Sequence, residues 1–576
     1  MRALGDRPLG RRALLGAALV GAASVAAGVR SRWARAASGG DVLVDLAVES
    51  GGRPFAGDHA RLSTLAPSGP SGRAKALVRF RLLRAAEVDL EVVAHRGAGE
   101  QGGIAQPVQA AARSSAGCAC GMFHGGISQP LYAAGRRLGR GRYTLSWEPG
   151  SSLGPGTYVL RVSATDRLGR RVRYAEGRPG RPPKERAPIV RILGVDAAFA
   201  RRSYAPGEQA ILIVAADAGK LTVELLRCGA EQEPTYANNE LKGVPVGEPL
   251  ALDWSAHRDG PIPVPVEVGV WPSGVYSARI RSDDGRAGFA PFVLRPPTPQ
   301  ARVAVVLPTN TWQAYNFYDL DADGYGDSWY VSTAIRRIDL TRPHLNRGVP
   351  FRFRSYDLAL IRWLHQRGEK VDFYSDDDLE SFPVGEALRA AYDLVVFPGH
   401  EEYVTAHVYN LVERYRDLGG SLLFLSANNF SRQVKRESET LEVVGLWREL
   451  GRPEAALCGT QYRASDRGTR QAPFVVTGAD TAPWLFEGTG LENGSTFGKY
   501  GIEVDSTTGS SPPGTQVLAR IPDLLGPGRT AEMTYYETPA GARVFSAGAL
   551  NFGGQILLWP ETVQLLENIW ARLAPH

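Results

Sequence analysis

The chain has 576 residues, 43% of them apolar and 22% charged. That length excludes a single compact domain, and the composition supports a sizeable core. The formal charge of +6 comes from the first 37 residues, which hold seven Arg and one Asp; beyond them 59 basic side chains face 59 acidic ones, so a nucleic-acid or membrane-surface role driven by charge is excluded.

In chain order, Arg11-Arg12 precede a Gly/Ala-rich apolar run from Ala13 to Val29, and Ala34-Arg35-Ala36 offers a small-x-small cleavage site. Residues 1–37 read as a twin-arginine signal peptide, with export to the periplasm or the cell exterior and no membrane attachment after cleavage. The run is short of the roughly 20 apolar residues of a spanning helix. The four cysteines, Cys118, Cys120, Cys228 and Cys458, are too few for a disulfide framework. Cys118, Cys120 and His124 leave a small metal clip, a disulfide or an irregular loop open.

Residues 41–175 hold short segments such as ALVRFRLL, VDLEVVAH and TYVLRVSA, several alternating at period two between turn residues. They read as an immunoglobulin-like β-sandwich with a Gly/Ala/Ser-rich insertion from Gly97 to Gly139. Glu176 to Pro188 is a Pro/Gly/charged linker. Residues 188–296 repeat the pattern, with strands expected from Ile189 onward, and Trp271-Pro-Ser-Gly-Val-Tyr276 echoes Gly154-Pro-Gly-Thr-Tyr158 of the first unit.

After the stiff Pro296-Pro297-Thr298-Pro299 linker the period changes. RVAVVLP, VDFYS, DLVVFPG and SLLFLS alternate with helical stretches, so residues 300–576 read as a doubly wound parallel sheet. AEMTYYET and RVFSAGAL form a hairpin beside it, and a helix from Val563 to Leu573 closes the chain. The expected fold class is therefore multidomain, two β-sandwich units followed by an α/β domain. Polar clusters follow the apolar strands at Thr309–Asn316, Asp376–Asp378, His400–Glu402 and Ser426–Asn429, at the rim where open α/β sheets bind ligands. The aspartates also suit a helix cap, and Asn428-Asn429 a turn. His400-Glu401-Glu402 behind a buried strand suits metal or proton-transfer chemistry better than a core. The turn after that strand is where class I glutamine amidotransferases carry a nucleophilic cysteine. Here it holds His400, which excludes that thiol chemistry. Asp319, Asp321, Asp323 and Asp327 alternate around Gly324, the opening of an EF-hand-type Ca²⁺ loop or else a solvated acidic turn.

TWQAYN, GDSWY, TRPH, DDDL, GHEEY, GGSLLFLSANNF and ETPAGARVFSAGALNF, in that order, together resemble the large (beta) subunit of N,N-dimethylformamidase and its relatives over about residues 300–576. The resemblance implies a glutamine-amidotransferase-like domain, a mononuclear iron (Fe) held by two tyrosines and a glutamate, and hydrolysis of small amides. It implies Tyr315 and Glu402 as iron ligands, with Tyr330 chosen as the second tyrosine, and His400, Asn428 and Glu537 as catalytic groups. His344 stands where the family's RPY motif has a tyrosine, so it is a further ligand candidate, and Glu401 replaces the usual proline. The leading expectation is an exported iron-dependent amidohydrolase whose partner is a small-molecule amide, with a homo-oligomer and a small subunit left open. A non-catalytic exported binding protein with a calcium-stabilised loop is the alternative. Carbohydrate or cell-wall binding by the β units is a third, by analogy alone.

Overall fold

A computed structural model describes residues 41–94, 132–150, 153–175 and 185–575, apart from 234, 236, 322–325, 331–333, 346 and 467. Residues 1–37 (the expected signal peptide), most of the Gly/Ala-rich insertion with Cys118, Cys120 and His124, and Asp323 of the acidic loop lie outside the described residues. From Val42 the chain forms one compact unit, mostly β-sheet in several layers with few helices. Among the described residues no helix is long and apolar enough to cross a membrane.

Alternating burial along strands such as Ala76–Leu82 puts one face of each sheet on a core. A three-stranded sheet and a six-stranded sheet enclose the first core, from Val42 to Ile192. A three-stranded and a five-stranded sheet enclose the second, from Val195 to Leu294. Ile189–Ile192, expected to open the second unit, instead pairs with Leu62–Leu65 and Gly156–Asp166 of the first. Its apolar side chains are buried there, so the chain returns to the first core before leaving it. The sequence echo has a structural counterpart. The Tyr158 hydroxyl donates to the Gly154 carbonyl at 2.7 Å, and that of Tyr276 to the Pro272 carbonyl at 2.8 Å, the same lock four residues upstream.

The remaining residues build a nine-stranded sheet from β1 (Val303–Leu307), β2 (Asp372–Ser375), β3 (Leu394–Phe397), β4 (Ser421–Phe424), β5 (Gln471–Val476), β6 (Thr496–Gly501), β7 (Gln516–Ile521), β8 (Ala531–Glu537) and β9 (Arg543–Ser546). Their order is β2-β1-β3-β4-β9-β8-β7-β5-β6. β2 through β9 in that order run parallel, and β8, β7, β5 and β6 continue antiparallel. The β8–β9 hairpin thus stands inside the sheet, not beside it, with β9 as the fifth parallel strand. β1 is buried on both faces: Val303, Val305 and Leu307 enter one core, Ala304 and Val306 the other. Helix α2 (Leu358–Arg367) covers the first face and α3 (Ala406–Asp417) the second. Helix α3 starts only at Ala406, because Tyr403–Thr405 is a strand and the Thr405 hydroxyl accepts the Val408 N–H at 3.1 Å as its cap.

From β1 the chain crosses to β2 on one side and then to β3 on the other. Connections that leave β1 in opposite directions open a crevice at the carboxyl ends of β1 and β3. A four-stranded sheet, which contains Tyr403–Thr405 and Arg432–Glu437, roofs that crevice over an aromatic core of Tyr315, Phe317, Trp329, Phe351 and Tyr403.

Candidate metal centre at the carboxyl edge

Each segment at this edge is held by a local device. β1 ends at Leu307, and six buried residues form the short helix α1 (Thr309–Ala314), from whose end Tyr315 projects. β3 ends at Phe397 and turns at Pro398-Gly399. A Cβ at Gly399 would stand 2.0 Å from an oxygen of Asp357, so only glycine lets the turn pass. His400, Glu401 and Glu402 follow, all buried. The Glu402 N–H donates to the Thr311 hydroxyl at 3.2 Å. The loop after β4 closes over them: Phe430 N–H donates to the Glu401 carbonyl at 2.6 Å, and Arg432 N–H to the Glu402 carbonyl at 3.1 Å. Asn428 and Phe430 hold left-handed backbone, φ 58° and 55°, a strain that clusters at functional sites.

These devices bring one set of polar atoms together. The Tyr315 hydroxyl donates to Glu402 Oε2 at 2.5 Å, and Arg432 Nε donates to Glu402 Oε1 at 2.9 Å. His400 Nε2 lies 3.4 Å from Glu402 Oε2 and 3.4 Å from Glu503 Oε2. Asn428 Nδ2 donates to Glu503 Oε2 at 2.8 Å, while its backbone N–H spans the Asp505 carboxylate at 2.9 and 2.8 Å. Both ring nitrogens of His400 are buried without a hydrogen-bond partner. A small cavity lined by Tyr315, Phe351, Tyr356, Asp357 and His400 adjoins the cluster.

Burial dominates the electrostatics. It pushes the Tyr315 phenol well above its ordinary value, with Glu402 adding to the effect. It does the same to Tyr403, again with Glu402 contributing. The Glu503 carboxyl is raised by burial and then by Glu402, and Asp505 is raised by burial to about 8. Burial lowers His400, against the pull of Glu402. Two carboxylates and a phenol share a buried pocket, and Arg432 is the guanidinium in direct contact with Glu402. Such a pocket stabilises a proton or a metal ion between its oxygens. The donor set of phenol and carboxylate oxygens fits a hard, Lewis-acidic metal, and the two unpartnered nitrogens of His400 lie beside it, able to carry a proton.

Tyr315, His400, Glu402 and Asn428 are thus brought together. The Tyr330 ring packs edge-on against that of Tyr315, with centroids 5.2 Å apart. His344 sits in a loop held to the residue after Tyr315, since Asn316 donates to the Pro343 carbonyl at 3.0 Å and accepts the Leu345 N–H at 3.0 Å, and its Nδ1 is buried without a hydrogen-bond partner. Its electrostatic neighbour is Arg342, and burial followed by that charge depresses it to about 3. Glu537 is at the opposite edge. It ends antiparallel β8, pairs with Arg543 at the start of β9, is exposed, and accepts from Arg572 Nη2 at 2.7 Å. The strand's direction, invisible in the motif order, carries it away from the cluster. Glu401 turns toward Asp376, whose carboxylate also accepts from the Asn310 N–H at 2.6 Å. Asp376 rises to about 7 through burial, and Glu401 well above its ordinary value through burial and then Asp376. Ser375 and Asp378 cap the following helix reciprocally. Asp319, Asp321 and Asp327 bring carboxylate oxygens within 4.8 Å of one another.

Sequence reading missed Glu503, Asp505, Arg432 and Arg342. The signal for the first two was EVDS, a short strand (Glu503–Ser506) with carboxylates at period two and every residue buried. Arg342 sits inside the TRPH motif and is buried. It donates to the carbonyls of Gln313 at 2.6 Å, Asp327 and Asp339 at 2.9 Å, and Tyr318 at 3.1 Å, so it staples the loop that follows Tyr315.

The family model described as N,N-dimethylformamidase beta subunit-like, C-terminal, matches residues 250–562. No curated protein matches the chain. Among solved structures the chain is similar to E. coli alpha-2-macroglobulin in its native conformation, at 14% identity and a TM-score of 0.22, over 44% of this chain and 16% of that one. It is similar also to a tetra-tandem repeat from the extending region of a large adhesion protein, at 12% identity and a TM-score of 0.16, over 44% of this chain and 50% of that one.

Proposed function

We propose, from the premise that the chain belongs to the N,N-dimethylformamidase beta subunit-like family, that it is an exported iron-dependent amidohydrolase acting on a small amide or related C–N bond. The observation that carries the reading is the Tyr315–Glu402 contact of 2.5 Å, flanked by His400 and Glu503. Tyr315 and Glu402 would hold the ion, with Tyr330 as the second tyrosine. When bound, the ion would supply Lewis acidity that polarises an amide carbonyl and acidifies water.

The chain's own groups supply the rest. Burial keeps the His400 imidazole neutral, so Nε2 can accept a proton from attacking water and return it to the leaving amine. Glu503, 3.4 Å from that nitrogen, stands in place of Glu537 as the carboxyl group beside the proton carrier. Asn428 fixes Glu503 and, on releasing it, can donate to the developing oxyanion, a class of contact worth roughly 3 kcal/mol. The roof and the aromatic cage exclude bulk water from these transfers.

In this reading residues 1–37 direct export, and the β units are immunoglobulin-like scaffolds for a glutamine-amidotransferase-like domain. Asp319, Asp321 and Asp327 would hold a Ca²⁺ ion within the loop that Arg342 staples. The alternative, a non-catalytic binding protein, draws on the two departures from the family's motifs, His344 in TRPH and Glu401 in GHEEY. Elemental analysis and hydrolysis assays on the purified protein separate the two. Stoichiometric iron with formamide or acetamide hydrolysis supports the enzyme; protein that takes up no ferric ion and hydrolyses neither amide supports the binding protein.

A further inference from the structure

A second, roomier cavity is on the other edge of the sheet. About 610 Å³ open where the second β unit meets the amino ends of β1 and β2, so the volume is separated from the Tyr315 cluster by the length of the parallel strands. That volume falls within the range of small-molecule sites, which favour domain junctions.

Its walls are fixed before any ligand arrives. Trp271 stacks on Tyr276 with centroids 5.6 Å apart. The Ser273 hydroxyl donates to the Leu294 carbonyl at 2.9 Å and accepts the Phe373 N–H at 2.8 Å, which pins the Trp271 hairpin to β2. Prolines 296 and 297 stiffen a second wall, and Leu364 of α2 supplies a third. Asp372 at the floor is already engaged, accepting from the Gln300 and Ala301 N–H groups at 2.8 and 3.1 Å and from the Tyr392 hydroxyl at 2.9 Å. Cys228 is buried in the lining, and burial pushes its thiol up, so the wall is inert to thiol chemistry.

The charge is what lacks a partner. Arg227 lines the cavity half-buried, and among the described residues its guanidinium has no acidic partner. Its charge acts on His365, which burial and Arg227 together hold below the ordinary value. His365 and Lys370 are exposed at the rim, with Glu369 as the opposing charge. An apolar slot with an unpaired guanidinium in its wall is complementary to an amphipathic anion.

We propose that this cavity binds a small amphipathic carboxylate, with its apolar body against Trp271 and Pro297 and its carboxylate on Arg227. The site stands apart from the hydrolase reading, because none of its groups belongs to the Tyr315 cluster. The test uses 4-phenylbutyrate and its neutral amide, 4-phenylbutanamide, titrated into the full exported chain and followed by calorimetry. The carboxylate is expected to saturate one site and the amide to bind at least about tenfold more weakly, the discrimination that a charged hydrogen bond gives. Arg227→Gln should lose about the same factor, and Lys370→Gln, at the exposed rim, a smaller one. Glu402→Ala should leave the affinity unchanged, which separates this site from the metal centre. No saturable binding, equal affinity for carboxylate and amide, or an affinity that survives Arg227→Gln or is lost in Glu402→Ala would overturn the proposal.

Discussion

Two regions of the molecule bury charge, in opposite ways. Between the two β units, Arg73 is fully buried, and each arm of its guanidinium is used. Nη1 donates to Asp217 at 3.0 Å and to the Arg258 carbonyl at 3.1 Å, Nη2 to Asp259, and Nε to the Arg53 carbonyl at 2.5 Å. At the carboxyl edge of the parallel sheet, Glu402, Glu503, Asp505 and Tyr315 are buried with too little positive charge among them, and His400 has both nitrogens unpartnered. A satisfied buried charge is architecture. A crowd of buried acids that share hydrogen bonds with one another's neighbours but have one contacting guanidinium, Arg432, suits a cation or a proton, because their burial is only partly offset by charge.

Removing one member from each region breaks the comparison most sharply. Glu402→Ala should abolish iron uptake and amide hydrolysis while leaving the fold intact. Elemental analysis beside thermal melting checks it, and unchanged metal content would remove Glu402 from the ligand set. Arg73→Leu should do the reverse. It leaves Asp217 buried and uncompensated, a loss of about 3–5 kcal/mol in denaturant stability, with metal content unchanged in whatever remains folded. Asn428→Ala should cost roughly 3 kcal/mol in kcat/KM, with the metal retained. Glu537→Gln, on the exposed far edge, should shift stability within about 0.5 kcal/mol and leave hydrolysis untouched. A collapse of activity there would reinstate Glu537 as catalytic.

The contrast also has a sign in pH. Asp357 is raised to about 8 by burial and Asp376 to about 7, against an unfolded value near 4. The folded, metal-free protein therefore holds more protons than the unfolded chain between about pH 4 and pH 8. Stability contributed by these groups is present at the acid end of that window and lost as pH rises through it. The melting temperature of the metal-free protein should fall across the window, and a rise would show that the raised carboxyls do not govern it.

What the sequence revealed follows the same division. His400 to Glu402 were legible because a buried strand that ends in Pro-Gly must put its next side chains at the rim. Tyr315 was legible through the spaced motifs around it. Glu503 was not, because it arrives from a two-stranded excursion far along the chain, where local pattern says nothing of what it will face. Glu537 was misplaced for a related reason: motif order fixes a residue's position along the chain but not which end of an antiparallel strand it occupies. Ile189–Ile192 belongs to the first core because a four-residue segment with three apolar side chains after a linker can join either neighbour, and only the packed sheet decides.

The most direct test is a titration of Fe(III) into the purified protein and into Tyr315→Phe, followed by visible absorption. The account expects one equivalent to raise a tyrosinate-to-iron charge-transfer band that the variant weakens or loses. Iron that binds with no such band, or a band unchanged by Tyr315→Phe, would contradict it.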